Sequence, residues 1–237
     1  MRESSIRFAG AEAVAFRCAE GDTLLASALR SGLGFPYECN SGGCGACQFE
    51  LVEGALLDAW PAAPGISDRQ RGRGRRLACQ SVPQGDCTIK VALDSGMVPP
   101  VTPAASRATL VGRRALTADM AEFTFQAAGR AEFRPGQYAM LHLPGVAGAR
   151  AYSMCNLAND EGLWSFIIKR VPEGAGTAFL FDAMRPDDEI GIDGPYGNSY
   201  LRTEGGRDIV CIAGGSGISP VLSILRGIAA TPQLGGG

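Results

Sequence analysis

Four cysteines with a specific spacing constrain this chain more than any other feature of its sequence. The stretch YECNSGGCGACQFE places Cys39, Cys44 and Cys47 close together among glycines, and 31 residues separate Cys47 from Cys79. This C-x4-C-x2-C pattern with a distant fourth cysteine is typical of plant-type [2Fe-2S] ligation. Four thiolates must surround two irons, and the backbone must turn sharply enough for its N–H groups to face the sulfurs, which glycine permits. The sequence therefore predicts a [2Fe-2S] cluster on these side chains.

Two other interpretations of the cysteines stay open. A structural zinc site usually has two C-x2-C pairs, and here only Cys44 and Cys47 form one. A reactive C-x-x-C redox pair would leave Cys39 and Cys79 without a role. Both explain the pattern less well than the cluster does. The remaining four cysteines lie on apolar segments and are predicted to be small core residues: Cys18, Cys87, Cys155 and Cys211.

Composition excludes several classes of function. The chain has 237 residues, 46% of them hydrophobic, and a formal net charge of −2, so nothing in its overall charge favours nucleic acid or an anionic membrane. No apolar run approaches the ~18 residues of a membrane span, and the start MRESSIRFAG has no signal-peptide pattern. We expect a cytoplasmic protein, where clustered cysteines indicate metal or redox chemistry rather than disulfides.

The pattern of apolar residues predicts several domains. Residues 1–93 combine alternating strand-like segments with one helix, GDTLLASALRSGLG, capped by Asp22 or Thr23, which predicts a compact α+β domain. The proline-rich segment 94–106 is predicted to be a linker. Residues 107–203 contain short strands between turn residues and one helical piece, GTAFLFDAM, which predicts a small antiparallel β-barrel.

The last segment, 204–237, has a different character. It contains a continuous apolar strand, the glycine turn AGGSGISP and an apolar helix with Pro220 in its first turn. This order of elements predicts the start of an α/β nucleotide-binding domain, in which backbone N–H groups at the turn bind a phosphate.

Two of these regions resemble a known family. FPYECNSGGCGACQFELVEG with RRLACQS is similar to the N-terminal ferredoxin domain of the reductase components of multicomponent aromatic oxygenases, and most similar to toluene-type di-iron monooxygenase reductases. The resemblance implies a β-grasp fold for residues 1–93. It continues beyond the linker, where FRPGQYAML and RAYS resemble the family's flavin-binding strands and imply that residues 107–203 bind FAD.

The resemblance also implies roles for individual residues in FAD binding. Tyr152 would pack against the isoalloxazine ring, Ser153 would lie near N5, and Arg150 would neutralise phosphate. In IIKRVPEGAGTAFLFD, a lysine and the residues opening a helix would face the flavin pyrophosphate: Lys169, Gly176 and Thr177.

The glycine turn resembles the family pattern GGSGI-x-P, which marks a nicotinamide-nucleotide domain, although it departs from G-x-G-x-x-G. The implied nucleotide-binding residues are Gly214, Gly215, Gly217 and Pro220. In the family this domain continues through several more parallel strands, whereas 204–237 carries one predicted strand and one helix. We therefore expect only a partial nucleotide segment, without the residues that choose NADH over NADPH.

Together these features predict an electron-transfer reductase. Electrons would pass from NADH through FAD and the [2Fe-2S] cluster to an oxygenase hydroxylase or a Rieske ferredoxin, and no side chain need act as a catalytic acid or base. The alternative is a flavin and iron-sulfur relay that does not oxidise NADH. The run RQRGRGRR before Cys79 could steer an acidic acceptor, but a solvated loop is the favoured interpretation.

Overall fold

Residues 3–10, 14–204 and 208–231 are described by the computed structural model of this chain. They fall into two units, Met1–Pro103 and Ala104–Gly237. Parts of the predicted nucleotide segment, 205–207 and 232–237, lie outside the described residues. Within the described ranges no helix is long and apolar enough to cross a membrane.

Unit 1 is built on a mixed five-stranded sheet with the order β2-β1-β7-β3-β5. The pairing of β1 with β7 is parallel and the others are antiparallel. A second, two-stranded sheet joins β4 to β6. In chain order the elements are β1 (Glu3–Phe8), β2 (Ala15–Ala19), α1 (Leu24–Arg30), β3 (Gln48–Glu53), β4 (Leu56–Asp58), α2 (Asp68–Arg71), β5 (Arg75–Leu77), β6 (Ser81–Pro83) and β7 (Cys87–Lys90).

The sequence dictates this packing through the periodicity of its apolar residues. In β1 and β2 alternate side chains point inward, so that Ile6, Phe8 and Phe16 enter the core. Helix α1 begins after Thr23, whose hydroxyl accepts a hydrogen bond from the amide of Ala26. Of the two residues predicted to cap this helix, Asp22 and Thr23, it is therefore Thr23 that does so. Helix α1 packed on a mixed sheet is the β-grasp arrangement that the resemblance implied.

Unit 2 is an antiparallel barrel of six strands in the order β11-β10-β13-β8-β9-β12. The barrel is nearly closed, because an isolated bridge between Met154 and Phe166 joins the two outer strands. Aromatic side chains such as Phe123, Phe125 and Phe166 fill its interior. Its strands are β8 (Ala104–Ala115), β9 (Met120–Ala127), β10 (Tyr138–His142), β11 (Arg150–Ser153), β12 (Leu163–Lys169) and β13 (Glu189–Tyr196).

Two helical segments accompany the barrel. Helix α3 (Ala175–Ala178) runs into a π-helical turn at Phe179–Ala183, close to the predicted helical piece. Helix α4 (Ile218–Ala230) follows a 3-10 turn at Gly215–Gly217, as the glycine turn predicted.

Two features differ from the sequence-based expectations. The apolar strand predicted before the glycine turn does not form over 208–213. No described strand lies beside this segment to hydrogen-bond with its backbone N–H and C=O groups. Val210 and Ile212 are consequently more than four-fifths exposed. Within the predicted linker, Ser95–Met97 form a 3-10 turn, and β8 already begins at Ala104.

Candidate functional site

The cysteine-bearing loop between α1 and β3 turns sharply because three of its residues adopt positive φ. Asn40, Gly42 and Gly45 have φ angles of 49°, 83° and 78°. A Cβ on Gly45 would lie 2.5 Å from the carbonyl oxygen of Gly65, so no side chain fits there. The amide of Gly65 in turn donates to the carbonyl of Gly42, at 2.9 Å. The cysteine-bearing loop is therefore packed closely against the segment around Gly65.

Backbone amides of this loop point at two of the predicted ligand sulfurs. The amides of Ser41 and Cys44 donate to the Sγ of Cys39 at 3.5 and 3.4 Å, and the amide of Ala46 donates to the Sγ of Cys44 at 3.5 Å. Hydrogen bonds of this kind favour the thiolate, which is the form that ligates metal. The loop therefore has the backbone geometry that the cluster prediction requires.

The fourth cysteine reaches the loop from another part of unit 1. Cys79 lies in the 3-10 turn Ala78–Gln80 that follows β5, and the amide of Ala78 donates to the carbonyl of Cys47 at 3.0 Å. The sulfurs of Cys47 and Cys79 are 3.4 Å apart, and both side chains are buried. The side-chain amide of Gln80 also donates to Cys79, at 3.6 Å. These contacts join two cysteines 32 residues apart into a pair.

The pKa values of these thiols follow from the same contacts. Burial opposes ionisation of Cys39, but the amides of Ser41 and Cys44 outweigh it and lower the pKa of Cys39 to about 6. The Cys47 thiol donates to Cys79, which raises the pKa of Cys47 and lowers that of Cys79. These contacts thus shift the Cys39 and Cys79 thiols towards the thiolate.

Two contacts bring the four predicted ligand cysteines together. A structural zinc needs four ligands on one ion, whereas a [2Fe-2S] cluster distributes four thiolates over two irons. The sulfur of Cys47 lies against that of Cys79, and the backbone amide of Cys44 donates to the sulfur of Cys39. The donor set therefore fits the cluster.

One edge of the cysteine loop faces solvent. Cys44 is exposed, in contrast to the buried Cys47 and Cys79. Beside it, Trp60 is 43% exposed and lies 3.0 Å from where a Cβ on Gly42 would stand. Three arginines of the nearby basic run are exposed, whereas Arg71 pairs with Asp58 at 2.6 Å.

The RAYS residues form strand β11 at one edge of the barrel sheet. Ser153, Tyr152 and Arg150 lie opposite Tyr138, Ala139 and Leu141 of β10. The guanidinium of Arg150 donates to the carbonyls of the loop before it, Ala147, Gly148 and Ala149, at 3.0 to 3.3 Å.

Tyr152 is half-buried and packs against the barrel core. Burial raises the pKa of Tyr152, opposed by the nearby charge of Arg150, so the phenol is neutral near pH 7. The backbone carbonyl of Ser153 accepts a hydrogen bond from the hydroxyl of Ser219, at 2.7 Å. These contacts fix the backbone and side chains of the predicted flavin-binding strand.

The predicted pyrophosphate residues lie around this strand. A Cβ on Gly176 would be 3.3 Å from the Cγ of Arg150, so α3 approaches the arginine stem closely. The buried hydroxyl of Thr177 accepts from the amide of Val171 and lies within 3.2 Å of the carbonyls of Val171 and Gly174. Its side chain therefore fixes the loop before α3.

Lys169 ends β12 and stands next to the glycine turn. Its Cδ is 3.8 Å from where a Cβ on Gly215 would be, and its ammonium pairs with Asp119 at 3.3 Å. The hydroxyl of Thr117 and the ammonium of Lys169 lower the pKa of Asp119. The structure thus brings a predicted flavin residue and a predicted nucleotide residue together.

The other predicted nucleotide residues are open to solvent. Gly214 and Gly217 are exposed, and a Cβ at either position would meet nothing within 4 Å. Gly215 has a φ of 55°, which favours glycine. Pro220 is the third residue of α4 and is partly exposed.

Sequence reasoning missed three polar residues of α4. Ser219, Ser223 and Arg226 all hydrogen-bond to backbone carbonyls of the segment 153–156 that follows the RAYS motif. Their signal was present in the sequence, since they recur at i, i+4 and i+7 on an otherwise apolar helix.

Two models of known protein families match this chain. A model of the 2Fe-2S iron-sulfur cluster binding domain matches residues 9–84, and a model of the oxidoreductase FAD-binding domain matches residues 107–200. The first match contains all four predicted ligand cysteines. The second contains the RAYS strand, Lys169 and α3.

Similar proteins are reductases of oxygenase systems. A ferredoxin–NAD(P)+ reductase of Metapseudomonas resinovorans is 46% identical over 88% of this chain and 64% of its own length. The ferredoxin–NAD+ reductase component of the alkene monooxygenase system of Xanthobacter autotrophicus is 46% identical over 91% of this chain and 65% of its own length. The chain thus spans slightly less than two thirds of these relatives.

A solved structure gives the same result. The structure titled ferredoxin reductase in carbazole 1,9a-dioxygenase matches with a TM-score of 0.90 at 40% identity, over 95% of this chain and 70% of that one. The chain therefore belongs to the family of ferredoxin–NAD(P)+ reductases of oxygenase systems, in agreement with the resemblance of its cysteine and RAYS motifs.

Proposed function

We propose that this chain carries electrons from NADH, through FAD and a [2Fe-2S] cluster, to a component of a bacterial oxygenase system that oxidises aromatic hydrocarbons. Two contacts carry the proposal: the sulfur of Cys47 lies against that of Cys79, and the backbone amide of Cys44 donates to the sulfur of Cys39. When bound, FAD accepts electron pairs and passes on single electrons, and the cluster carries one electron at a time. The protein supplies binding, orientation and electrostatics.

In this proposal Cys39, Cys44, Cys47 and Cys79 hold the cluster. The loop amides stabilise the thiolates before metal arrives, because they already donate to Cys39 and Cys44. The buried Cys47 and Cys79 keep water from one side, while the exposed Cys44 gives an acceptor protein access from the other. Thiol ligands of this kind require a reducing compartment, which supports a cytoplasmic location.

The flavin in this proposal lies against β11. Tyr152 offers a neutral aromatic face, Ser153 lies at the end of the same strand, and Arg150 supplies positive charge near α3. Lys169 adds a second positive charge beside Gly215, between the flavin and nucleotide residues. The loop fixed by Thr177 places the amides of Gly176 and its neighbours at the start of α3.

The nicotinamide nucleotide would bind at the exposed turn that contains Gly214, Gly215 and Gly217, before Pro220. The protein that accepts electrons from the cluster would be a hydroxylase or a Rieske ferredoxin. The names of the relatives, which include an alkene monooxygenase system, support an oxygenase component as this acceptor. A relay that does not oxidise NADH is the second candidate. It is favoured by segment 208–213, which forms no strand and leaves Val210 and Ile212 exposed beside the glycine turn.

Anaerobic reduction separates the two candidates. The purified chain, loaded with FAD and cluster, is mixed with NADH and its visible spectrum is recorded, with dithionite as the control reductant. The main proposal predicts that NADH bleaches both the flavin and the cluster bands. Bleaching by dithionite alone would establish the relay, and the absence of both chromophores after reconstitution would refute both candidates.

A further inference from the structure

One face of α4 carries polar side chains and covers the seam of the barrel, which is the line where β11 and β12 meet. Ser219, Ser223 and Arg226 are spaced by four and three residues, so they lie on one face of the helix. Each donates to a backbone carbonyl: Ser219 to Ser153 at 2.7 Å, Ser223 to Asn156 at 2.7 Å, and Arg226 to Cys155 at 2.6 Å. One helix therefore holds three carbonyls of the segment that continues from the RAYS strand.

Ser219 replaces a missing backbone hydrogen bond. The bridge between Met154 and Phe166 places Ser153 opposite Ile167 across the seam between β11 and β12. The hydroxyl of Ser219 stands between these two, accepting from the amide of Ile167 at 3.2 Å while donating to the carbonyl of Ser153. A hydroxyl can do both at once. Since Ser219 and Ser223 are buried, their removal would leave backbone groups without partners.

Close packing keeps α4 in this position. A Cβ on Gly227 would lie 2.8 Å from the Cγ of Pro135 and 2.9 Å from the Cδ2 of Leu201. Across the same seam, the amide of Cys155 donates directly to the carbonyl of Ser165 at 2.8 Å. Helix α4 is thus part of the wall that carries the RAYS strand, although it follows the glycine turn in sequence.

We propose that Ser219, Ser223 and Arg226 are positioning residues for FAD, which act through the backbone of residues 153–156. The inference rests on the proposed function, in which FAD lies against β11. Because the helix begins directly after Gly217, the nucleotide turn and the end of the flavin-binding strand are joined by one rigid element. The start of the nucleotide segment therefore belongs to the FAD site as well.

The test is FAD binding by the full chain. Flavin-depleted protein is titrated with FAD while flavin fluorescence is measured, for the unaltered chain and for Ser219→Ala, Ser223→Ala and Arg226→Ala. The matched control is Leu225→Ala, on the exposed side of the same helix. Each test variant is expected to raise the Kd for FAD about tenfold, as for the loss of one buried hydrogen bond. Leu225→Ala is expected to leave it unchanged, and Arg226→Lys to restore part of the loss.

A second readout separates positioning from general stability. At saturating FAD, the test variants are expected to shift the flavin absorption bands and the flavin reduction potential, which a helix that only stabilised the fold would not move. Unchanged Kd values and spectra in all three variants, with or without a lower Tm, would overturn the inference. If Ser219→Ala does not fold, Arg226→Ala and Arg226→Lys test the inference instead. A higher Kd for FAD in Arg226→Ala that Arg226→Lys partly restores would support it, and equal Kd values in both variants and the unaltered chain would overturn it. An unaltered chain that takes up no FAD would instead refute the proposed function, and with it the inference.

Discussion

At the residue scale, glycine positions in the cysteine loop differ sharply in what they tolerate. Gly45 has a φ of 78°, and a Cβ added there would lie 2.5 Å from the carbonyl oxygen of Gly65, whereas a Cβ on Gly43 would meet nothing within 4 Å. We expect Gly45→Ala to lower the free energy of unfolding by about 1–2 kcal/mol from left-handed strain alone, and to reduce cluster content. Gly43→Ala should leave both unchanged. Urea unfolding measures the free energy of unfolding, and iron analysis measures the cluster content. Equal values for Gly45→Ala and Gly43→Ala would show that the close approach at Gly45 does not matter.

The buried thiol of Cys155 should make stability depend on pH. Burial, and then the carboxylate of Glu122 at 3.4 Å, raise the pKa of Cys155 from 9.0 to about 12. Between these values the folded chain holds a proton that the unfolded chain has lost. The contribution of this neutral thiol to the free energy of unfolding is therefore complete below pH 9. It declines as the pH rises towards 12, by up to about 1.4 kcal/mol per pH unit.

Comparison with Cys155→Ala isolates this effect from other titrating groups. The difference in unfolding free energy between the unaltered chain and the variant should be constant below pH 9 and should shrink above it. Urea unfolding at several pH values measures the difference. A difference that stays constant, or grows, above pH 9 would show that the thiol is not held neutral by the fold.

Individual residues show how far the sequence alone could go. The spacing of Cys39, Cys44 and Cys47 predicted a sharp loop with amides facing sulfur, because that geometry follows from cluster chemistry and local glycines. The pairing of Cys47 with Cys79 depends on how β5 returns to the loop, which no local pattern specifies. The spacing of Ser219 with Ser223 and Arg226 indicated a polar helix face, but the backbone groups that Ser219 contacts could not be predicted, because they meet only when the barrel closes.

At the element scale, Gly227 tests the packing of α4. In an exposed helix, replacing glycine by alanine stabilises by about 1 kcal/mol. Here the added methyl would meet Pro135 and Leu201 below 3.0 Å, so Gly227→Ala should instead lower the Tm. Gly214→Ala is the control, because that position is open and its φ of −127° suits any residue. A higher Tm for Gly227→Ala would show that α4 is not tightly held.

Elements with strong local patterns were predictable and those that need partners were not. The barrel strands and α4 follow from alternating or helical apolar patterns between turn residues. The strand expected before the glycine turn failed, because pairing requires neighbouring strands and none of the described residues supplies them. The early start of β8 was hidden by prolines, yet Ala104–Ser106 pair with β13.

At the scale of the whole molecule, the two cofactor sites should be separable by mutation. All four ligand cysteines lie in unit 1, and the RAYS strand lies in unit 2. The combined change Tyr152→Ala and Ser153→Ala should therefore deplete flavin while the cluster absorbance remains, because it removes only the aromatic face and the hydroxyl at the end of β11. Visible spectra and flavin analysis measure this. Loss of both chromophores would contradict independent sites.

The proposed function requires Cys39, Cys44, Cys47 and Cys79 to hold a two-iron cluster. The most direct measurement is the iron, zinc and labile-sulfide content of the chain, combined with the EPR spectrum after dithionite reduction. We predict two irons and two sulfides per chain, the composition of [2Fe-2S], with a one-electron signal that Cys44→Ser abolishes and the buried control Cys87→Ser keeps. One zinc per chain, no labile sulfide and no EPR signal would show a structural zinc site in place of the cluster.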